Sequence, residues 1–241
     1  IVCLNGPTLT LSIDSSDAVY TYEWTAPDGT MTSANEVTIS TGGLYLVTAT
    51  TTNGTFCSRT KEIQVNESII ATATLMDISV IDDSENNSIT IDPTNFGIGD
   101  YQYALTDIDN VSIADFQDDP YFEQLEGGIY NVLIRDKNGC GVATIQVPVV
   151  TFPKFFTPNN DGYNDTWNLK GVNTTLFPTS TIYIFDRFGK ALAQIPLTGK
   201  GWDGTLNGKE LPSNNYWFNA IIVDVNGNVR KKTGNFSLLR K

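Results

Sequence analysis

The chain has 241 residues, a formal net charge of −12, 40% hydrophobic side chains and no histidine. The lack of histidine removes the Ser-His and Cys-His nucleophile pairs and the usual general base, leaving only a carboxylate pair of the glycosidase kind as a catalytic option. No apolar run approaches the roughly 18 residues that would suggest a membrane-spanning helix, and β-branched residues alternate with polar ones over most of the length, which predicts an all-β protein.

The chain opens on "IVCLNGPTLT", with no initiator Met, basic stretch or apolar stretch. It is expected to be a fragment of a longer protein, without a signal peptide. Charge is uneven along it. Residues 1–150 hold 21 acidic and 4 basic side chains, and residues 151–241 hold 6 acidic and 11 basic. The sign change marks a boundary near residue 150. Nucleic acid is not an expected partner, because the whole is acidic and Arg230-Lys231-Lys232 is too short a basic patch.

Two stretches repeat a pattern: "GGLYLVTATTTNGTFCSRTKEIQV" (42–65) and "GGIYNVLIRDKNGCGVATIQV" (127–147). Each runs Gly-Gly, aliphatic-Tyr, an alternating strand, Asn-Gly, Cys and Ile-Gln-Val. A weaker echo at 214–238 keeps Tyr216 and Asn226-Gly227. Asn-Gly tolerates the φ > 0 that a type I′ turn needs at both central positions, so each module is expected to close on a β-hairpin. The spacing of roughly 85 residues suits β-sandwiches. Three consecutive β-sandwich domains follow, at 1–67, 68–150 and 151–241. Trp24 in "YTYEWTAPDG" reads as core rather than as a sugar platform. The acidic residues from Asp107 to Glu126 read as a solvated loop more readily than as a Ca²⁺ site.

The cysteines are Cys3, Cys57 and Cys140. The repeat places Cys140 where Cys57 stands, so a Cys3–Cys57 bridge is expected, with Cys140 inert. Closing about 54 residues would remove chain entropy worth ~4 kcal/mol, in an oxidising, extracytoplasmic setting. Zinc is excluded, because His and CxxC spacing are both lacking.

The segment "KFFTPNNDGYNDTW" (154–167) can be set against an EF-hand loop. Asn159, Asp161, Gly162, the Tyr163 carbonyl and Asp165 then fall at positions three, five, six, seven and nine, with Asp203 of "GWDG" a further candidate ligand. Thr157 and Asn168 stand where the first Asp and the bidentate Glu belong, so the donor set suits at most weak Ca²⁺ binding. An Asx-rich turn whose side chains bond their own backbone explains the same residues. Asp203 likewise either caps backbone or completes the Asp161/Asp165 site. Trp167, Trp202 and Trp217 read as core.

Four motifs in order, "FPKFFTPNNDGYNDTWNLKGV", "IYIFDRFGKALAQI", "GWDGTLNGKELPSNNYWF" and the terminal "GNFSLLRK", closely resemble one family over residues 152–241. It is the gliding-motility-associated C-terminal domain of Bacteroidetes, the type B sorting domain of the type IX secretion system. One departure is Asn160, where such domains commonly have Gly. Asn also tolerates the left-handed conformation, so the turn is expected to survive. The first two modules resemble, more weakly, the PKD-like and Ig-like repeats of long surface adhesins.

The resemblance implies an address rather than a reaction. The parent would be a large secreted adhesin of gliding motility, exported through the type IX outer-membrane translocon and held on the cell surface by an outer-membrane barrel protein. The fragment itself would be monomeric. Alternatives are a Ca²⁺-dependent or carbohydrate-binding module, or the non-catalytic tail of a secreted polysaccharide hydrolase. The basic excess and the terminal strand nominate Arg187, Arg230, Lys231, Lys232, Phe236, Leu238, Arg240 and Lys241 as partner contacts.

Overall fold

The computed structural model describes residues 1–13, 19–54, 56–83, 85–197 and 199–240. Strands dominate, and the only helices among the described residues are two single 3₁₀ turns, Leu75–Asp77 and Pro93–Asn95. None is long and apolar enough to cross a membrane. The protein is all-β, and three clusters of buried side chains succeed one another along it.

The first stretch carries β1 (Val2–Cys3), β2 (Leu9–Ser12), β3 (Tyr20–Thr25), β4 (Met31–Ser33), β5 (Glu36–Ile39), β6 (Gly43–Thr51), β7 (Ser58–Val65) and β8 (Glu67–Ser68). A sheet ordered β4-β3-β6-β7 packs against the pair β2-β5. The period-two alternation of β6 buries Tyr45 and Val47, and Tyr45 packs with Ile39 and Val65. Trp24 is core, as expected, and its indole N–H donates to the Ala34 carbonyl at 3.0 Å. That bond satisfies the ring's one polar atom.

The second stretch carries β9 (Ile78–Ile81), β10 (Asn87–Ile91), β11 (Tyr101–Asp107), β12 (Ser112–Gln117), β13 (Tyr121–Leu125), β14 (Gly128–Asp136) and β15 (Val142–Val149). Sheets β13-β10-β9 and β12-β11-β14-β15 enclose Ile89, Ile91, Phe96, Leu105, Val132, Ile134 and Val147.

The third carries β16 (Phe155–Phe156), β17 (Thr181–Phe185), β18 (Ala191–Ile195), β19 (Thr205–Leu206), β20 (Lys209–Glu210), β21 (Asn214–Val223) and β22 (Val229–Leu238). Its sheet is ordered β16-β22-β21-β17-β18, and largely irregular chain packs on it through Phe152, Trp167, Leu169, Phe177 and Trp202.

The expected hairpins are present as β6/β7, β14/β15 and β21/β22, but their turns are not type I′. Gly54, Gly139 and Gly227 have φ of 87°, 89° and 81°, whereas the preceding asparagines are not among the residues with positive φ. In the last hairpin Gly227 N–H donates to the Asp224 carbonyl, and Asp224 N–H to the Asn228 carbonyl. This is a three-residue loop, a type I turn completed by a left-handed glycine. An aspartate opens it, and Oδ1 of Asp224 accepts from the N–H groups of Asn226 and Asn228. Asp186 does the same for Phe188 and Lys190, and Asp107 for Asp109 and Val111. Part of the acidic content thus holds turns together.

The expected Cys3–Cys57 bridge is wrong. Cys3 is bonded to Cys140, with Cα atoms 5.4 Å apart, and Cys57 is exposed and outside the disulfide. Strand direction is the reason. β1 runs parallel to β8, pairing Val2 with Glu67 and Cys3 with Ser68, which holds Cys3 where the first stretch meets the second. Cys57 precedes β7, and that eight-residue strand carries it roughly 25 Å from the junction.

The same junction buries Asp136. Its carboxylate accepts from Ser68 Oγ, Asn138 Nδ2 and the N–H groups of Asp100 and Cys140. Burial pushes its pKa up, but these donors outweigh that and leave it below the usual carboxylate value. Asn5 adds a pair of bonds to the backbone of Ile70.

Candidate functional site

The terminal strand organises the third stretch. β22 pairs antiparallel with β21 along its whole length, and at its end β16 adds on the other side in parallel, Phe155 to Ser237 and Phe156 to Leu238. A period-two pattern turns Phe236 and Leu238 inward. Phe236 stacks on Trp167 with ring centroids 4.1 Å apart and meets Trp202 edge to face at 5.9 Å. Trp167 donates its indole N–H to the Pro153 carbonyl and Trp202 to that of Thr205, so both rings are buried without an orphan donor.

These contacts correct several expectations. Phe236 and Leu238 are buried core rather than partner contacts. Trp217, expected in the core, stands on the alternate face of β21 and is 38% exposed. Arg240 folds back and donates to the carbonyls of Leu211 and Gly204, with Glu210 as its ion-pair partner at 3.2 Å. Its guanidinium closes the chain end internally.

Two more of the nominated cations face inward to the protein. Arg230 donates to Asp82 Oδ2 at 2.6 Å, and the same oxygen accepts from Val150 N–H at 3.1 Å. Lys232 meets Asp83 at 2.6 Å. Asp83 has a φ of 51° and a carboxylate only 6% exposed. The acidic residues after β9 therefore neutralise the basic side chains of β22 within the chain. Thr151 and Lys170 exchange backbone bonds alongside, and a side chain at Gly171 would run into the Val149 carbonyl. The last two stretches are in direct contact here.

Of the nominated cations among the described residues, those left for outside partners are Lys231, which is exposed, and Arg187, whose guanidinium lies 4.7 Å from the Phe188 ring centroid. Phe188 is 81% exposed at the tip of the β17/β18 turn. A shallow groove of about 270 Å³ lies beside it, lined in part by Lys190, Leu192, Leu211 and Pro212. Lys241 lies outside the described residues.

The Asn159–Asp165 loop is closed on itself. Asp165 accepts from the N–H groups of Asn159, Asn160 and Gly162 at 3.0, 2.6 and 2.8 Å. Asp161 accepts from Tyr163 N–H and from Asn159 Nδ2. Asn160 has a φ of 60°, so asparagine does occupy a left-handed position in this turn. Asp203 caps Thr205 N–H at 3.0 Å. In this arrangement the carboxylate oxygens of Asp161 and Asp165 accept from N–H donors of their own loop, and the loop as folded is an Asx turn. Among the described residues no group of three or more acidic or cysteine side chains gathers as a metal site.

Residues 150–238 match the model of the CHU_C type IX secretion signal domain. No curated protein matches the chain. Among solved structures it is similar to the mixed-linkage glucan utilization locus SGBP-B of Bacteroides ovatus, at 14% identity and a TM-score of 0.21, covering 99% of this chain and 65% of that one. A structure described as concerning host cell surface retention of a 1.5-MDa bacterial ice-binding adhesin gives 11% identity, a TM-score of 0.37 and coverage of 99% and 93%. Dimeric latent PorU from Porphyromonas gingivalis gives 10%, 0.29, and 98% against 29%.

Proposed function

We propose that residues 150–238, which match the type IX secretion signal domain, are the export address of a larger secreted protein. The two stretches before them are non-catalytic stalk modules of a cell-surface adhesin, of the kind that gliding motility uses. The observation that carries the reading is the family match together with its structural counterpart, a terminal strand locked in the sheet by Phe236 and Leu238. Export and docking by this route need positioning rather than chemistry.

Docking on the translocon and on an outer-membrane barrel protein then falls to groups that the fold leaves free. These are Arg187 and Phe188 at the β17/β18 tip, with Lys231 on β22. Exposed cations at a rim mainly set association rate and salt dependence, and a neighbouring aromatic holds the complex.

The test fuses residues 68–241 to a fluorescent passenger and compares surface with periplasmic fractions. Removing residues 150–241 should leave the passenger in the periplasm. Equal surface delivery without them would end the sorting reading. Arg187→Glu with Phe188→Ala should lower delivery without changing the melt of the purified chain, and undiminished delivery would remove this tip from the docking surface.

A further inference from the structure

Residues 1–150 contain four basic side chains, and two are engaged within the second sandwich. Arg135 lies 3.8 Å from the Phe116 ring centroid and donates to Gln102, while Lys137 bridges Asp100 and Asp118. The other two, Arg59 and Lys61, are exposed and form no ion pair among the described residues. They lie two apart on β7 and so share one face of the sheet.

The strand register shows what accompanies them. Tyr22 pairs with Ala49 and Ala49 with Arg59, giving one row across β3, β6 and β7. Trp24, Val47 and Lys61 form the adjacent row. At the centre of the first row only a methyl group stands between an aromatic ring and a guanidinium. The covering pair β2-β5 packs on Tyr45, Ile63 and Val65, and among the described residues only Ile13, which continues β2, stands at this end, at the rim. The result is a groove of about 520 Å³ with a largely apolar floor. Tyr20 extends its aromatic wall, with its ring centroid 6.4 Å from that of Tyr22 and 42% of the residue exposed.

We propose that this groove binds an acidic polysaccharide. A sugar ring would lie on Tyr22 and Tyr20, and a uronate carboxylate would meet Arg59 and Lys61. Each part of the site has a use for such a ligand. A neutral glycan would have no use for two cations side by side on one strand face. A small free anion would have no use for an aromatic wall leading away from them. Guanidinium offers a paired N–H fork that fits a carboxylate, and tyrosine combines a flat apolar face with a polar tip. The groove's volume lies in the range usual for ligand sites. Residues 151–241 carry five more basic than acidic side chains and can hold a polyanion too, so it is the loss in the Arg59/Lys61 variant, not retention alone, that reports this site.

The test is electrophoresis of the full chain through native gels containing alginate, a polyuronate, with gels of neutral glucan alongside. Wild type should be retarded by alginate alone. The Arg59→Gln/Lys61→Gln variant should bind at least tenfold more weakly with an unchanged thermal melt, since both side chains are exposed. Tyr20→Ala and Tyr22→Ala should each lose severalfold, with exposed Tyr20 giving a readout that folding does not confound. The proposal is overturned if alginate does not slow the wild type, if the double variant runs like it, or if both tyrosine variants bind fully. Tighter binding of a single-stranded oligonucleotide than of alginate would overturn it too.

Discussion

Replacing Cys140 by serine opens the disulfide between the first two stretches, and its effect can be worked out in advance. The bridge spans 137 residues. If everything inside that loop unfolds together, the chain-entropy relation gives ~5 kcal/mol of stabilisation. If the first stretch unfolds while the second stays folded, the free loop runs only from Cys3 to about residue 67. The same relation then gives ~4 kcal/mol. With a urea slope of about 2 kcal/mol per molar, the first stretch should unfold roughly 2 M earlier in Cys140→Ser than in the oxidised wild type. Connectivity is tested separately, because alkylation without reduction labels one thiol whether Cys3 is bridged to Cys57 or to Cys140. Trypsin separates the two cases. Cleavage after Arg59, Lys137 and Lys154 puts Cys3 and Cys57 in peptide 1–59 and Cys140 in peptide 138–154. The structure requires these two peptides to be joined, with the alkyl group on Cys57. An internally bridged 1–59 with an alkylated 138–154, or an unchanged urea midpoint for Cys140→Ser, would refute the reasoning.

Three further outcomes follow from the contacts. A double-mutant cycle on Asp82 and Arg230 should give a coupling of about 1 kcal/mol: a charged hydrogen bond is worth more, but Arg230 is 39% exposed and partly screened. A coupling indistinguishable from zero would show that this ion pair does not help to hold the two stretches together. Asp165→Ala should cost about 2 kcal/mol, since three backbone N–H groups lose a charged acceptor. That loss should be the same in EDTA and in millimolar Ca²⁺, and a Ca²⁺-dependent melt of the wild type would instead make the loop a metal site. Asp136 has a folded pKa below its ordinary 3.8, so the ionised form adds stability that is present above that value and lost as pH falls through the lowered one. Stability should drop on acidification below about pH 4, and by less in Asp136→Asn. Parallel pH curves for the two proteins would exclude this carboxylate as the cause.

The sequence by itself determined what depends on local period and local turns. Gly-Gly, aliphatic-Tyr and Asn-Gly located the three closing hairpins because a strand repeats every two residues and a left-handed turn needs glycine. Trp24, Trp167 and Trp202 read as core and are buried, whereas Trp217, read the same way, stands on the outer face of β21; Asn160 was able to hold a left-handed turn. The four spaced motifs of residues 152–241 marked the tail, since they fix turns and aromatic packing inside one module. Tertiary structure decided which face met which. Cys3 found Cys140 because β1 pairs parallel with β8, a choice that no alternation pattern encodes. Arg230 and Lys232 look like free cations in a list of residues, yet the packing of β22 beside Asp82 and Asp83 neutralises them. Phe236, nominated as a partner contact from its place in the terminal strand, is buried by the pairing of β16 and β21 on either side of that strand. Charge and hydrophobicity are properties of residues, but whether a charge is available to a partner depends on neighbours far away in sequence.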